Sequence, residues 1–152
     1  MSRNEHFDVG RSEHEWVHGT DWYHGTSVPG LTELASTPSA VRYGAMGYGH
    51  IAPNFATNDP LEAAGYATDA ADADERRKIE GRRPVVYHVR PTSDNFDPDP
   101  HGGPMGYNDG PQDMDEAREH YESGIPVSMR FHDRMHVLEE IPEERWRERL
   151  ET

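Results

Sequence analysis

Three short segments of this 152-residue chain place histidines and carboxylates at spacings that chemistry could use. His14-Glu15-Trp16-Val17-His18 is a literal H-E-x-x-H. On a helix, the two histidines of that motif share one face for a zinc ion, and the Glu can act as general base for zinc-bound water. The other two segments are Trp22-Tyr23-His24-Gly25-Thr26 and Phe96-Asp97-Pro98-Asp99-Pro100, whose two acids each precede a proline. The first two segments predict competing functions, because a zinc site built on the first segment would also use His24 of the second.

The order of four segments resembles that of small ADP-ribosyltransferases. The nearest family is the rifampin ADP-ribosyltransferases, which use NAD as a co-substrate and need no metal. The matching segments are a Y-H-G-T strand end at 23–26, Asn54-Phe55-Ala56-Thr57 before a helix, a strand at 84–91 ending in V-x-P, and the acidic D-P loop at 97–100. The resemblance covers roughly residues 20–100, and motif order rather than any single motif carries it.

The resemblance implies a transferase that breaks the glycosidic bond between nicotinamide and its ribose through an oxocarbenium-like transition state. His24 would hydrogen-bond a ribose hydroxyl, while Gly25, lacking a side chain, would let its backbone hold the nicotinamide amide. Asp99 would stabilise the cationic transition state, with Asp97 left open as the alternative. The residues implied to bind the co-substrate are Tyr23, His24, Gly25, Thr26, Asn54, Phe55 and Tyr48.

The chain departs from the family pattern at Asn54, where the family usually has a tyrosine that stacks on the nicotinamide. Three alternatives follow from this departure. Phe55 takes over the stacking, a loop tyrosine (Tyr43 or Tyr48) does so, or NAD binding is weakened. A non-catalytic binding or structural module of the same fold, for example a virion component, is therefore an alternative function.

A zinc metallopeptidase is the other alternative, with His14 and His18 as ligands and His24 as the third at the spacing of the metzincin metalloproteases. The segment Tyr43–Tyr48 is similar to the Met-turn of those enzymes. However, position 21 is Asp where their signature has Gly, and the motif begins at residue 14, before any sheet such enzymes build. We therefore expect no bound metal.

Composition limits the partners. The net charge of −14, from 15 basic and 29 acidic residues, disfavours a surface for nucleic acid, because phosphate contacts need clustered Lys or Arg. A small molecule or a protein is the expected acceptor. The chain has no cysteine, which excludes a thiolate zinc site and a thiol nucleophile. No apolar run approaches the length of a membrane span, so we expect a soluble, cytoplasmic protein without membrane contact.

The helices and strands expected to position these residues indicate an α+β domain. The resemblance implies a split β-sandwich of two small, bent antiparallel sheets with peripheral helices. We expect a flexible arm at 1–15 and a single domain at 16–152, with one or two short strands at 16–24 and a long loop at 91–112. One helix is predicted to begin at Asp59-Pro60, a second after Asp113, with Glu116 completing a capping box, and a third at 143–150. Strands are predicted at 84–89, 126–131 and 135–141.

Overall fold

The computed structural model describes residues 13–35, 37–38, 51–100 and 110–151. It confirms the α+β class. The helices are α1 at residues 13–18, α2 (Pro60–Arg76), α3 (Met114–Glu122) and α4 (Glu143–Glu151). The strands are β1 (Trp22–Thr26), β2 (Glu33–Leu34), β3 (Thr37–Pro38), β4 (Ile51–Ala52), β5 (Asn54–Thr57), β6 (Val85–Pro91), β7 (Phe96–Pro98), β8 (Ser128–Phe131) and β9 (Met135–Ile141).

Seven of the strands form one antiparallel sheet in the order β2-β9-β6-β1-β5-β8-β7, and β3 pairs separately with β4. The sheet is joined weakly in its middle. Strand β1 pairs along all five of its residues with β6, but its ladder with β5 has the single register position Tyr23↔Thr57. The sheet therefore consists of a four-stranded half and a three-stranded half, rather than two separate small sheets.

Local signals account for most element boundaries. The Asp59 side chain accepts a hydrogen bond from the Leu61 amide at 2.9 Å, and Pro60 occupies the first turn of α2. One half of the capping box predicted for α3 is present, because the Glu116 amide donates to the Asp113 carboxylate at 2.8 Å, while the Glu116 carboxylate lies 3.9 Å from His120 Nε2. Strand β9 has the predicted bounds, and α4 starts at the predicted residue.

The prediction for residues 16–24 was wrong in its first half. Residues 13–18 are helical, so the boundary of the expected arm, drawn after residue 15, falls inside α1. Helix α1 ends where the Gly19 amide donates to the Glu15 carbonyl and the Thr20 hydroxyl donates to the Trp16 carbonyl. In its described part, the loop expected at 91–112 is interrupted, because β6 extends to Pro91 and β7 lies within it; residues 101–109 of that range lie outside the described residues.

One face of the sheet carries the larger core. Trp22, Tyr87, Met129 and Phe131 are buried there, together with Val17 of α1. The Trp22 indole N–H donates to the Val17 carbonyl at 2.7 Å, which attaches α1 to the start of β1. Among the described residues, no helix has the length and apolar character needed to cross a lipid bilayer.

Helix α2 covers the other face of the sheet through small residues. Its buried positions are Ala63, Ala64 and Ala67. Gly65 is exposed, because it lies about 200° around the helix from both Ala63 and Ala67. The helix approaches β1 so closely that a Cβ on Gly25 would lie 1.9 Å from the Ala63 carbonyl oxygen. The missing side chain at Gly25 thus has a packing role, which differs from the nicotinamide role that the resemblance implied.

We therefore predict opposite effects from two Gly→Ala changes. Gly25→Ala should lower the free energy of unfolding by about 3 kcal/mol or more, because the added methyl meets backbone atoms that cannot rotate away. Gly65→Ala, with nothing within 4 Å of its Cβ, should be stabilising by up to about 1 kcal/mol through helix propensity. Urea unfolding followed by circular dichroism measures both. A near-neutral Gly25→Ala would contradict the packing of α2.

Candidate functional site

A cavity of about 950 Å³ opens where the two halves of the sheet part. Strands β1 and β5 form much of its wall, and α2 adds Tyr66, Ala70 and Asp74 at four-residue intervals. Tyr48 lies outside the described residues. The residues that the sequence predicted for the site and that line this cavity are Tyr23, His24, Gly25, Thr26, Asn54, Phe55 and Asp99.

His24 bridges the gap between β1 and β5. Its Nδ1 lies 2.6 Å from the Phe55 carbonyl oxygen. A carbonyl can only accept a hydrogen bond, so Nδ1 carries the proton, and the neutral ring then presents Nε2 as an acceptor. This bond holds the imidazole in one orientation at the edge of the cavity. His24 is thus positioned as a pocket residue should be, although its role in binding stays a prediction.

The two candidate acids, Asp97 and Asp99, differ in their surroundings. The carboxylate of Asp97 pairs with Arg130 and lies 2.6 Å from His132 Nε2. Asp99 lines the cavity and is half-buried, while Asp97 does not line it.

The backbone of Asp99 is also held in place. Its amide donates to the Ser128 carbonyl at 3.0 Å. Its carbonyl oxygen lies against Gly110, where a Cβ would come within 2.2 Å of it. Of the two candidate acids, Asp99 is therefore the one that lines the cavity.

Asn54 has a structural task that the sequence did not suggest. Its side chain is fully buried, and its amide nitrogen donates to the Leu34 carbonyl at 3.3 Å. A longer contact of 3.5 Å reaches the Asp133 carbonyl. Successive residues of a strand point to opposite faces, so Phe55, half-buried beside it, points the other way. Both residues contribute to the cavity lining, and Phe55 is the aromatic residue of β5.

Sequence reasoning missed a polar cluster at one end of the cavity. The Ser128 hydroxyl donates to the Glu62 carboxylate at 2.6 Å, and Tyr66 lies one helical turn after Glu62. Burial raises the pKa of Glu62, and the charge of Asp59 raises it further. Burial also raises the pKa of the Tyr66 phenol, followed by the effect of Glu62. The four-residue spacing of Tyr66, Ala70 and Asp74 along one stripe of α2 was the signal that could have revealed this wall, and Glu62 lies one turn before it, bonded to the lining residue Ser128.

The cavity is predominantly acidic. Glu33, Asp74 and Asp99 line it, whereas Arg82 is the one guanidinium among the described lining residues. The Asp74 carboxylate also accepts a hydrogen bond from the Ser27 hydroxyl. A ligand with a cationic ring near the carboxylates and an anionic group near Arg82 would match this charge distribution.

The H-E-x-x-H histidines meet a different partner from the one expected. His14 Nδ1 and His18 Nε2 lie 2.6 Å and 2.9 Å from the same Asp94 oxygen, Oδ1. His24 is not part of this group, because it lies in β1 with its Nδ1 bonded to Phe55. The metzincin ligand set is thus not assembled, and none of the three grouped residues lines the cavity. Tyr43–Tyr48, the expected Met-turn, lies outside the described residues.

Glu139 and Glu140, two adjacent acids of β9, lie away from the cavity. They point to opposite faces of β9, as adjacent strand residues do. Glu140 pairs with Arg83 and Glu139 pairs with Arg145, both at 3.2 Å. Neither glutamate lines the cavity.

Comparison with known proteins adds no assignment to this picture. No family model matches the chain, and a search of curated proteins found no significant match either. The residues of the cavity therefore carry the functional interpretation.

The buried carboxyl of Glu62 gives a pH-dependent prediction. A raised pKa means that the folded state favours the protonated form. This contribution to stability is fully present below the unfolded pKa, about 4.3, and is lost as pH rises through the folded pKa. Glu62→Gln, whose amide oxygen can still accept from Ser128, should therefore raise the melting temperature at pH 7 and change it little at pH 4.

Melting curves by circular dichroism at both pH values measure this effect. Glu80→Gln is the control, because Glu80 is exposed and its substitution should leave the pH dependence of stability unchanged. A Glu62→Gln protein less stable than the wild type at pH 7 would show that the ionised carboxylate is fully compensated in the fold.

Proposed function

We propose that this protein is an NAD-dependent mono-ADP-ribosyltransferase, which transfers ADP-ribose to a small-molecule or protein acceptor and releases nicotinamide. One observation carries the proposal. His24 and Asp99, to which the resemblance assigned the ribose contact and the acid (with Asp97 as the alternative acid), are distant in sequence and line one cavity together with Gly25, Thr26 and Phe55. The weak junction between β1 and β5 further supports a split-sheet fold of the ADP-ribosyltransferase type, with the cavity at the split.

The cavity suits NAD in size and charge. Its volume of about 950 Å³ lies near the upper end of the range for small-molecule sites. The oxidised nicotinamide ring is cationic, which the neighbouring carboxylates favour. Phe55 supplies an aromatic face for the ring, and Arg82 supplies the planar donors that a pyrophosphate prefers.

The reaction would use the lining residues as follows. The bond between the ribose C1′ and the nicotinamide nitrogen breaks, and its electron pair leaves with nicotinamide, which becomes neutral. The positive charge that develops on the ribose is stabilised by the Asp99 carboxylate, held in place by its backbone contacts to Ser128 and Gly110. His24 forms a hydrogen bond with a ribose hydroxyl and thereby orients the sugar. The acceptor oxygen then bonds to C1′ and loses its proton to solvent or to a base.

The acceptor follows from the family and from charge. The nearest family modifies a hydroxyl on a rifamycin, so a small hydroxylated molecule is the first candidate. A protein side chain is the second. Nucleic acid is the least favoured of the three, since a chain of net charge −14 repels a polyanion.

A non-catalytic module of the same fold, such as a virion component, is the second candidate function. Two observations favour it. Asn54 stands where the family has its stacking tyrosine and uses its amide inside the fold, and the described cavity wall has a single guanidinium for a pyrophosphate. No stabilisation in a thermal-shift titration with NAD, together with no NAD hydrolysis, would select the module over the enzyme.

The acid gives the sharpest test of the enzyme. Asp99→Asn should slow nicotinamide release by ~10²–10³ with NAD affinity nearly unchanged, because the charge it stabilises exists only in the transition state. Asp97→Asn is the matched control two residues away. It should disturb the pairing with Arg130 and His132 but leave release within a few-fold of wild type. If Asp97→Asn were the damaging change, the assignment of the acid would be reversed.

His24 tests binding separately from turnover. His24→Ala should abolish measurable NAD binding in calorimetry, because the ribose contact and the ring that bridges β1 and β5 are both lost. The fold should persist, with a loss of about 1 kcal/mol for the missing hydrogen bond. His136→Ala, which removes an exposed strand histidine outside the cavity, is the control and should bind NAD as the wild type does. Equal affinity in His24→Ala and wild type would refute the role of His24.

A further inference from the structure

Three side chains converge outside the cavity. His14 and His18 are one helical turn apart on α1, and their rings stack with centroids 4.2 Å apart at an angle of 24°. A nitrogen of each ring lies within hydrogen-bonding distance of Asp94 Oδ1. One ligand atom from each of the three residues falls within 4.8 Å of the other two. Asp94 comes from a segment 76 to 80 residues further along the chain, so helical periodicity alone cannot produce this meeting.

The helix side of this group is fixed by packing. Val17, between the two histidines, is fully buried, and its carbonyl accepts the Trp22 indole N–H. Trp16 packs partly buried against the same core. The ring of His18 meets Phe96 edge-on, with centroids 6.3 Å apart. Because α1 cannot rotate without breaking these contacts, both imidazoles are presented on one side.

The carboxylate side is fixed by hydrogen bonds. Asp94 lies in the turn between β6 and β7. The Ser93 hydroxyl donates to the Asp133 carboxylate at 2.6 Å, and the His132 amide donates to the Asn95 carbonyl at 2.9 Å. The residues on both sides of Asp94 are thus anchored to the turn between β8 and β9. Such support around a ligand lowers the cost of holding it in place.

Two imidazole nitrogens and one carboxylate oxygen form a ligand set that Zn²⁺ uses, with water completing the coordination. Ligand atoms about 2.1 Å from a tetrahedral ion lie roughly 3.4 Å apart, so the Asp94 carboxylate would move outward by less than about 1 Å. The side chains of Asp94 and His14 are 61% and 51% exposed, which leaves room for that movement.

We propose that His14, His18 and Asp94 form a binding site for one divalent transition-metal ion, with Zn²⁺ as the probe. The ion ties α1 to the turn between β6 and β7. The site is separate from the cavity and independent of the proposed transferase reaction. It replaces the expectation, drawn from the sequence, that the protein binds no metal, because Asp94 supplies the third ligand that His24 does not.

The test uses the whole chain without an affinity tag, stripped of metal by chelator and titrated with Zn²⁺ by calorimetry. We expect one ion per chain and a higher melting temperature with the metal. Asp94→Asn keeps an oxygen that can accept from both histidines, so it preserves the hydrogen bonds of the metal-free form. It should nevertheless raise the dissociation constant for Zn²⁺ by more than about 100-fold, as should His14→Ala, because a direct ligand matters more than its supporting partners.

His88→Ala is the matched control. His88 pairs with Asp21 at 3.1 Å but is not part of any three-residue group of ligands within the described residues. Its substitution should leave Zn²⁺ affinity unchanged. On the wild type, a histidine-detected NMR titration should shift the ring signals of His14 and His18 first, which requires no variant to fold. Absence of stoichiometric binding, or binding that both Asp94→Asn and His14→Ala retain, would overturn the proposal.

Discussion

The close contact between α2 and β1 at Gly25 is the constraint on which the cavity depends. With the Ala63 carbonyl in the space of a Cβ, the helix lies directly on the strand. This contact places two stripes of α2 in different environments. Ala63, Ala64 and Ala67 enter the core, and the stripe ending at Asp74 faces the cavity. A larger residue at position 25 would push α2 away from β1 and so widen the cavity. The glycine therefore determines the shape of the cavity through packing, independently of any contact with a ligand.

The opening of the sheet next to this contact sets where a ligand can enter. Strands β1 and β5 share one register position, and beyond it the imidazole of His24 reaches across to the Phe55 carbonyl. A side chain therefore takes over a backbone acceptor that sheet pairing would otherwise satisfy. The same separation leaves the edge of β5 that faces β1 largely unpaired. It also creates the space in which His24 and Phe55 line the cavity.

Elements governed by neighbouring residues were predictable, and contacts between distant segments were not. The Asp59 and Asp113 caps and the bounds of β9 follow from local chemistry, and the structure confirms them. The motif resemblance also selected His24 and Asp99, which do share a cavity. By contrast, the meeting of Asp94 with the α1 histidines depends on how the β6–β7 turn packs, and no local pattern encodes it. The structural use of Asn54 was missed for the same reason, since its partner Leu34 lies on a different strand.

At the polar end of the cavity, a partly buried acid lowers the stability of the folded state. Glu62 is a partly desolvated acid beside the Ser128 hydroxyl, close to Tyr66, and burial raises the pKa of both titratable groups. A core built for stability alone would place apolar residues there, since a desolvated carboxyl that ionises at neutral pH destabilises the folded state. Of the two groups, Tyr66 lines the cavity, whereas Glu62 is connected to it through the lining residue Ser128. Groups with perturbed pKa values concentrate at functional sites. That this cost falls beside Asp99, rather than elsewhere on α2, supports a cavity shaped for a ligand, in keeping with the proposed chemistry.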